Sequence, residues 1–305
     1  MGERGVGSVR VAAVQAAPVF LDRAGTTAKV CALLREASAE GARLVVFPES
    51  FIPCYPDWVW RQRPWDDGDA DWHVRLSRQA VSVPGPETAS ICEAAAETGI
   101  YAAVGMTELS ETSGTLYNTL LYVGPDGPLG RHRKLMPTGG ERQVWGFGDG
   151  TDLNTHGTPF GRIGGLICWE NYMPLARAAV YQNGVDIYVA PTWDNSEVWV
   201  PTLRHIAKEA RAFVVGVTPY ITGAHVPVDI PGRDAIYGGT EDVLSAGNTT
   251  IVDPFGGVLA GPLVGSEGIV YADLDLDMIP KARRQFDPVG HYSRSDVLGT
   301  VQTPN

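Results

Sequence analysis

Apolar positions along the chain fall into short runs that switch between two spacings. Residues 9–18, VRVAAVQAAP, form a β-prone run closed by Pro18, and residues 43–50, RLVVFPES, form a second. Between them, 26–42 carries apolar side chains at helical spacing and stops at Gly41. The alternation recurs as a helix over 88–99, a strand over 100–108 and two strands over 115–137 that turn at Pro125, Asp126 and Gly127. Further on come a strand within 159–170, a helix over 174–184, a strand over 185–191, a helix over 200–213 and a strand over 214–220. A hairpin is expected within 248–261, around Pro254 and Gly257. This order predicts one layered α/β domain over 1–305 with mixed strand directions, its core at about 9–297 and a short tail at 298–305. The least regular stretch, YPDWVWRQRPWDDGDADW at 55–72, reads as a lid or an interface loop.

Composition narrows the partners. Hydrophobic residues make up 44% of the 305, charged residues 19%, and the formal net charge is −11. Such a chain can build a full core, and its acidity argues against nucleic acid or an anionic membrane as partner. No run approaches the length of a membrane span, and the first residues lack the apolar region of a secretory peptide. Cys31, Cys54, Cys92 and Cys168 are spread singly, which reads as reduced thiols in a cytoplasm.

Several familiar signatures fail. GFGDGT at 146–151 lacks the last glycine of a dinucleotide fingerprint, and there is no phosphate loop. DLDLD at 273–277 is not a calcium loop, because Met278 stands where glycine is needed, and it reads as an alternating strand. The histidines show no metal-binding spacing. No metal, nucleotide or other cofactor is called for.

Cys168, in GLICWENYMPLAR, reads in isolation as a small buried hydrophobe. Its setting suggests more. The strand is expected to end at the cysteine and a helix to begin near Pro174, so helix-terminal N–H groups could favour the thiolate. A base is needed, and no histidine stands at a comparably marked strand end. Glu49 does, after LVVF and Pro48, where poor solvation would raise its pKa toward that of a useful base. A third strand end, RHRKLMPT, offers Lys134, although a basic surface ribbon with Arg131 and Arg133 is the plainer reading of it alone. Three strand termini thus offer Glu, Lys and Cys, and open α/β sheets place ligand sites outside strand carboxyl ends.

FPESFIPCYP, HRKLMPTGGERQVWGFGDG, ICWENYMPLAR and FDPVGHYSRSDV, in that order, resemble the blocks of the nitrilase superfamily, specifically its nitrilase branch, from about Val9 to Val297. The resemblance implies a four-layer αββα sandwich whose protomers pair into αββα–αββα, hence a homodimer or higher homo-oligomer. It implies Glu49 as general base, Lys134 as electrostatic stabiliser, Cys168 as nucleophile and Glu141 as a further glutamate that orients Lys134 and substrate. The substrates implied are an organic nitrile and water, giving the carboxylic acid and ammonia through a covalent thioimidate and thioester. Tyr55, Trp58, Trp169, Asn171, Tyr172 and Trp193 are candidates for the substrate pocket. Ser295 stands where the family usually has proline. An amidase or carbamoyl-amide hydrolase shares the same Glu, Lys and Cys and remains the alternative; a non-catalytic thiol-sensing protein on this scaffold is the other.

Overall fold

The computed structural model describes residues 7–65 and 68–299; the end of the expected tail, 300–305, lies outside them. Five strands open the chain: β1 (Ser8–Gln15), β2 (Leu44–Val46), β3 (Tyr101–Leu109), β4 (Leu116–Gly124) and β5 (Gly127–Arg133). A second set follows: β6 (His156–Thr158), β7 (Gly161–Gly165), β8 (Ile187–Pro191), β9 (Phe213–Val217), β10 (Tyr220–Thr222), β11 (Val243–Val252) and β12 (Val258–Val264). The last strand, β13 (Gly268–Asp275), returns to the first set and pairs antiparallel with β1 along its whole length.

Two mixed sheets result. One is six-stranded with the order β13-β1-β2-β3-β4-β5; the other runs β10-β11-β9-β8-β7-β6, with β12 paired to β11. Their facing sides interlock through Val11, Ala13, Leu44, Val46 and Leu120 from the first sheet and Ile163, Ile187, Val189, Phe213 and Val215 from the second. The outer face of the first sheet is covered by the helices Arg23–Ala39 and Pro86–Thr98, with Val30, Leu34 and Ile91 fully buried. The helices Pro174–Gln182 and Trp199–Ala210 cover the second sheet, burying Val180, Leu203 and Ile206. The layers are therefore αββα, as expected. β2 and β8, central and covered on both faces, are apolar throughout, which is the pattern that burial on both sides demands.

Two local expectations need correction. The 55–72 stretch is not wholly irregular: it holds a 3-10 turn, Asp57–Trp60, and the start of the helix Asp69–Gln79. The strand before the cysteine also ends early. β7 stops at Gly165, and Cys168 opens a 3-10 turn, Cys168–Tyr172. Side chains draw the backbone off the ladder here: the Ile167 N–H donates to the Glu170 carboxylate, and Asn171 Nδ2 donates to the Leu166 carbonyl.

Candidate active site

Three loop starts meet at the same end of the two-sheet stack. Glu49 follows β2, Lys134 follows β5 directly, and Cys168 follows β7. The segment around Glu49 lies hard against β3: a β-carbon on Gly105 would stand 2.1 Å from the Pro48 carbonyl, so only glycine permits this approach. Cys168 itself has φ +53, a left-handed conformation that an L-residue holds only when its surroundings impose it.

Lys134 is the centre of the cluster. Its ammonium donates to Glu49 Oε1 and to Glu141 Oε2, each at 2.7 Å, and the side chain is wholly buried. Both carboxylates are held by further donors. Asn118 Nδ2 donates to Glu49 Oε1 at 2.7 Å and the Trp193 N–H to Glu49 Oε2 at 2.8 Å. Glu141 Oε1 accepts from the Tyr55 hydroxyl at 2.7 Å, and its Oε2 also accepts from the Thr138 N–H at 2.7 Å. The carboxylate oxygens of Glu49 and Glu141 and the Cys168 sulfur lie within 4.8 Å of one another. That triad resembles a metal-ligand set, but the lysine ammonium already bridges its two carboxylates.

Burial sets the proton affinities. It pushes the Glu49 carboxyl up, with Glu141 adding to the rise and Lys134 opposing it. The Cys168 thiol is also pushed well up, first by burial and then by Glu49, against the pull of Lys134. The expected helix-terminal stabilisation of a thiolate does not prevail, because a five-residue 3-10 turn cannot offset burial beside carboxylates. For Lys134 burial acts downward, but Glu49, Cys168 and Glu141 outweigh it and hold the ammonium firmly charged.

The sequence matches the carbon-nitrogen hydrolase model over residues 10–284. The chain belongs to the carbon-nitrogen hydrolase family. Among its relatives, the aliphatic nitrilase of Sinorhizobium fredii is 47% identical over 96% of this chain and 94% of its own length. The bifunctional nitrilase/nitrile hydratase of Lupinus angustifolius is 42% identical over 96% of this chain and 86% of its own. The crystal structure of a branch 10 member of the nitrilase superfamily from Saccharomyces cerevisiae shares the fold, with a TM-score of 0.72 at 20% identity, covering 94% of this chain and 97% of that one.

In this carbon-nitrogen hydrolase a cavity of about 820 Å³ opens over the cluster. Glu141 and Cys168 reach its surface, while Glu49 and Lys134 lie beneath. Of the aromatic candidates, Tyr55, Trp169 and Trp193 line it, and Tyr55 stacks on Trp193 with centroids 4.4 Å apart. Trp58 does not: the alternation of the 3-10 turn sends it into the core, stacked on Trp72, and puts Trp60 on the cavity instead. Asn171 is fully buried behind Cys168, donating to the Leu166 and Cys168 carbonyls and accepting from the Tyr188 hydroxyl. Tyr172 points outward, edge-on to Trp169 and near the Thr202 hydroxyl. The reading of the sequence also passed over Met136, Met173 and Asp194, which join the lining; the last accepts from the Trp169 indole at 2.8 Å. Asn118 was missed as well, and "YNT" on a β-strand carries no signal that its amide will meet Glu49.

Proposed function

We propose that the chain hydrolyses organic nitriles to carboxylic acids and ammonia, with Cys168 as nucleophile, Glu49 as general base, Lys134 as stabiliser of developing charge and Glu141 as the group that orients Lys134. The observation that carries this reading is the Lys134 ammonium held between two buried carboxylates beside a thiol at the floor of an aromatic cavity.

The chemistry follows from proximity. Cys168 passes its proton to Glu49 as sulfur adds to the nitrile carbon, and Glu49 hands that proton on to the nitrile nitrogen, giving a neutral thioimidate and a free carboxylate. The transfer moves a proton within the cluster and leaves its net charge unchanged. A thiol that resists ionising toward solvent can therefore still react. Lys134 faces the charge that gathers on nitrogen. A water deprotonated by Glu49 then adds to the thioimidate carbon, ammonia leaves, and a thioester remains; a second water releases the acid and restores the thiol. The sum is one nitrile and two waters to one acid and one ammonia. Tyr55, Trp169 and Trp193 would flank the substrate's organic group.

The same reading takes the chain as a cytoplasmic homodimer or larger homo-oligomer. Four uncrosslinked cysteines support a reducing compartment, and among the described residues no helix is long and apolar enough to cross a membrane.

The test is a panel of aliphatic, aromatic and arylaceto-nitriles beside their matching amides, with ammonia, acid and amide all quantified. Turnover of nitriles that disappears in Cys168→Ala is expected. Turnover of amides alone would make the chain an amidase and sink the proposal.

A further inference from the structure

Glu170 plays no part in the chemistry above, yet its carboxylate is buried at the joint between the two segments that deliver Lys134 and Cys168. One oxygen accepts from the Leu135 N–H at 2.6 Å, and the other accepts from the Ile167 N–H at 2.8 Å. Leu135 is the residue after Lys134, and Ile167 is the residue before Cys168. A single side chain therefore ties the backbone of the lysine to the backbone of the nucleophile, across two sheets.

The tie is itself braced. His132, two residues before Lys134 on β5, sets its Nε2 at 3.2 and 3.1 Å from the two oxygens of Glu170. Its Nδ1 lies 3.0 Å from Asp152 Oδ1, and Asp152 Oδ2 accepts from the Arg133 N–H at 2.9 Å. A ring with a carboxylate at each nitrogen donates from both, so the imidazole is an imidazolium. Burial opposes that charge, but Glu170 and Asp152 outweigh it and hold the His132 pKa at about 10. Two backbone N–H groups and the His132 ring thus converge on the Glu170 carboxylate.

We propose that Glu170, braced by His132 and Asp152, is a positioning residue that fixes where the Cys168 sulfur stands relative to the Lys134 ammonium. The idea rests on the nitrile-hydrolysis reading for its meaning, but its geometry is independent of which substrate is used. The left-handed backbone at Cys168 lies between the Ile167 N–H that Glu170 anchors and the Leu166 and Cys168 carbonyls that Asn171 holds, so the carboxylate is one of the two side chains that fix this turn. Small displacements at a reacting centre reduce rates steeply, by about a hundredfold for 1 Å.

Glu170→Gln tests the clamp, because the amide keeps the shape but must turn its NH₂ toward one of the three donors. Two readouts are taken on the full-length chain. The first is alkylation by iodoacetamide, mapped by mass spectrometry to each cysteine, with Cys31, Cys54 and Cys92 as internal controls for loosening of the fold. The second is nitrile turnover. The clamp predicts that Cys168 alkylation slows by about tenfold or more while the other three thiols keep their wild-type rates, and that kcat falls about ten- to hundredfold with KM within about threefold. Wild-type alkylation of Cys168 in the variant overturns the proposal. So does faster alkylation of all four thiols, which would mark Glu170 as a general structural support. If Glu170→Gln yields no folded protein, His132→Gln, which keeps a donor toward Glu170 but loses the charge, is read by the same two measurements. A wild-type chain that alkylates at Cys168 but turns over no nitrile would sink the functional reading and leave the alkylation comparison decisive for the clamp.

Discussion

Trp60 lies so close to Gly139 that a β-carbon on the glycine would stand 3.2 Å from the six-membered ring of the indole. The ring is half-exposed on the cavity wall, and its Nε1 donates to the Tyr55 hydroxyl at 3.0 Å. Tyr55 in turn donates to Glu141, so the wall of the cavity and the lysine cluster are linked by two hydrogen bonds. Trp60→Ala is expected to enlarge the cavity and raise the kcat/KM of bulky aromatic nitriles over small aliphatic ones by about tenfold or more. A selectivity ratio that does not move, measured over a graded series of nitriles, would remove Trp60 from the specificity wall.

Lys134→Met should unfold more readily than any surface variant. It leaves Glu49 and Glu141 buried with no cation between them, at a cost of about 3–5 kcal/mol. Urea denaturation gives the number. The double variant Lys134→Met/Glu141→Gln should regain part of that stability while staying inactive, which separates the structural and chemical roles of the ammonium.

The pH–rate profile should report Glu49. As its pKa is raised by burial, the acid limb of kcat/KM is expected to lie above the ordinary carboxylate value of 4.5, with activity falling as pH drops through it. Glu49→Gln should lower turnover by about a hundredfold or more and form no thioimidate or thioester on Cys168 by intact-mass measurement. An acid limb at the ordinary carboxylate value would assign the base elsewhere.

His132 gives a stability signature at the other end of the scale. Its folded pKa of about 10 exceeds the ordinary imidazole value of 6.5, so the folded chain holds a proton that the unfolded chain releases between those values. The stability it contributes is whole below pH 6.5 and is lost as pH rises toward about 10. Denaturation midpoints taken across that window should fall in the wild type, and the fall should be shallower in His132→Gln. Parallel curves would show that the imidazole is not charged in the folded chain.

A layered α/β domain with mixed strands could be read from the run lengths, since apolar strands and helices alternate with clear Gly and Pro stops, whereas the αββα order of the layers was implied by the family resemblance. Glu49, Lys134 and Cys168 each read alone as ordinary residues and stood out only together, as three strand ends inside blocks that resemble one family. Their supports did not. Asn118 on β4 meets Glu49, and Glu170 in the 3-10 turn meets Leu135, across long stretches of chain, and a one-dimensional pattern carries no record of such meetings. The aromatic stretch at 55–72 misled for a related reason. Trp58 and Trp60 are alike by composition, and only the geometry of the 3-10 turn decides that one packs on Trp72 and the other lines the cavity. Asn171 sits next to a motif cysteine but is turned behind it by the Tyr188 hydroxyl and two carbonyls.

Glu49 and Lys134 follow strands of one sheet and Cys168 a strand of the other, and the strand that completes the first sheet, β13, is the last to be made. Neither half of the chain holds the cluster by itself: the first supplies Glu49, Lys134 and Glu141, and the second supplies Cys168. The cluster of Glu49, Lys134, Glu141 and Cys168 is therefore complete only when the two sheets close on each other.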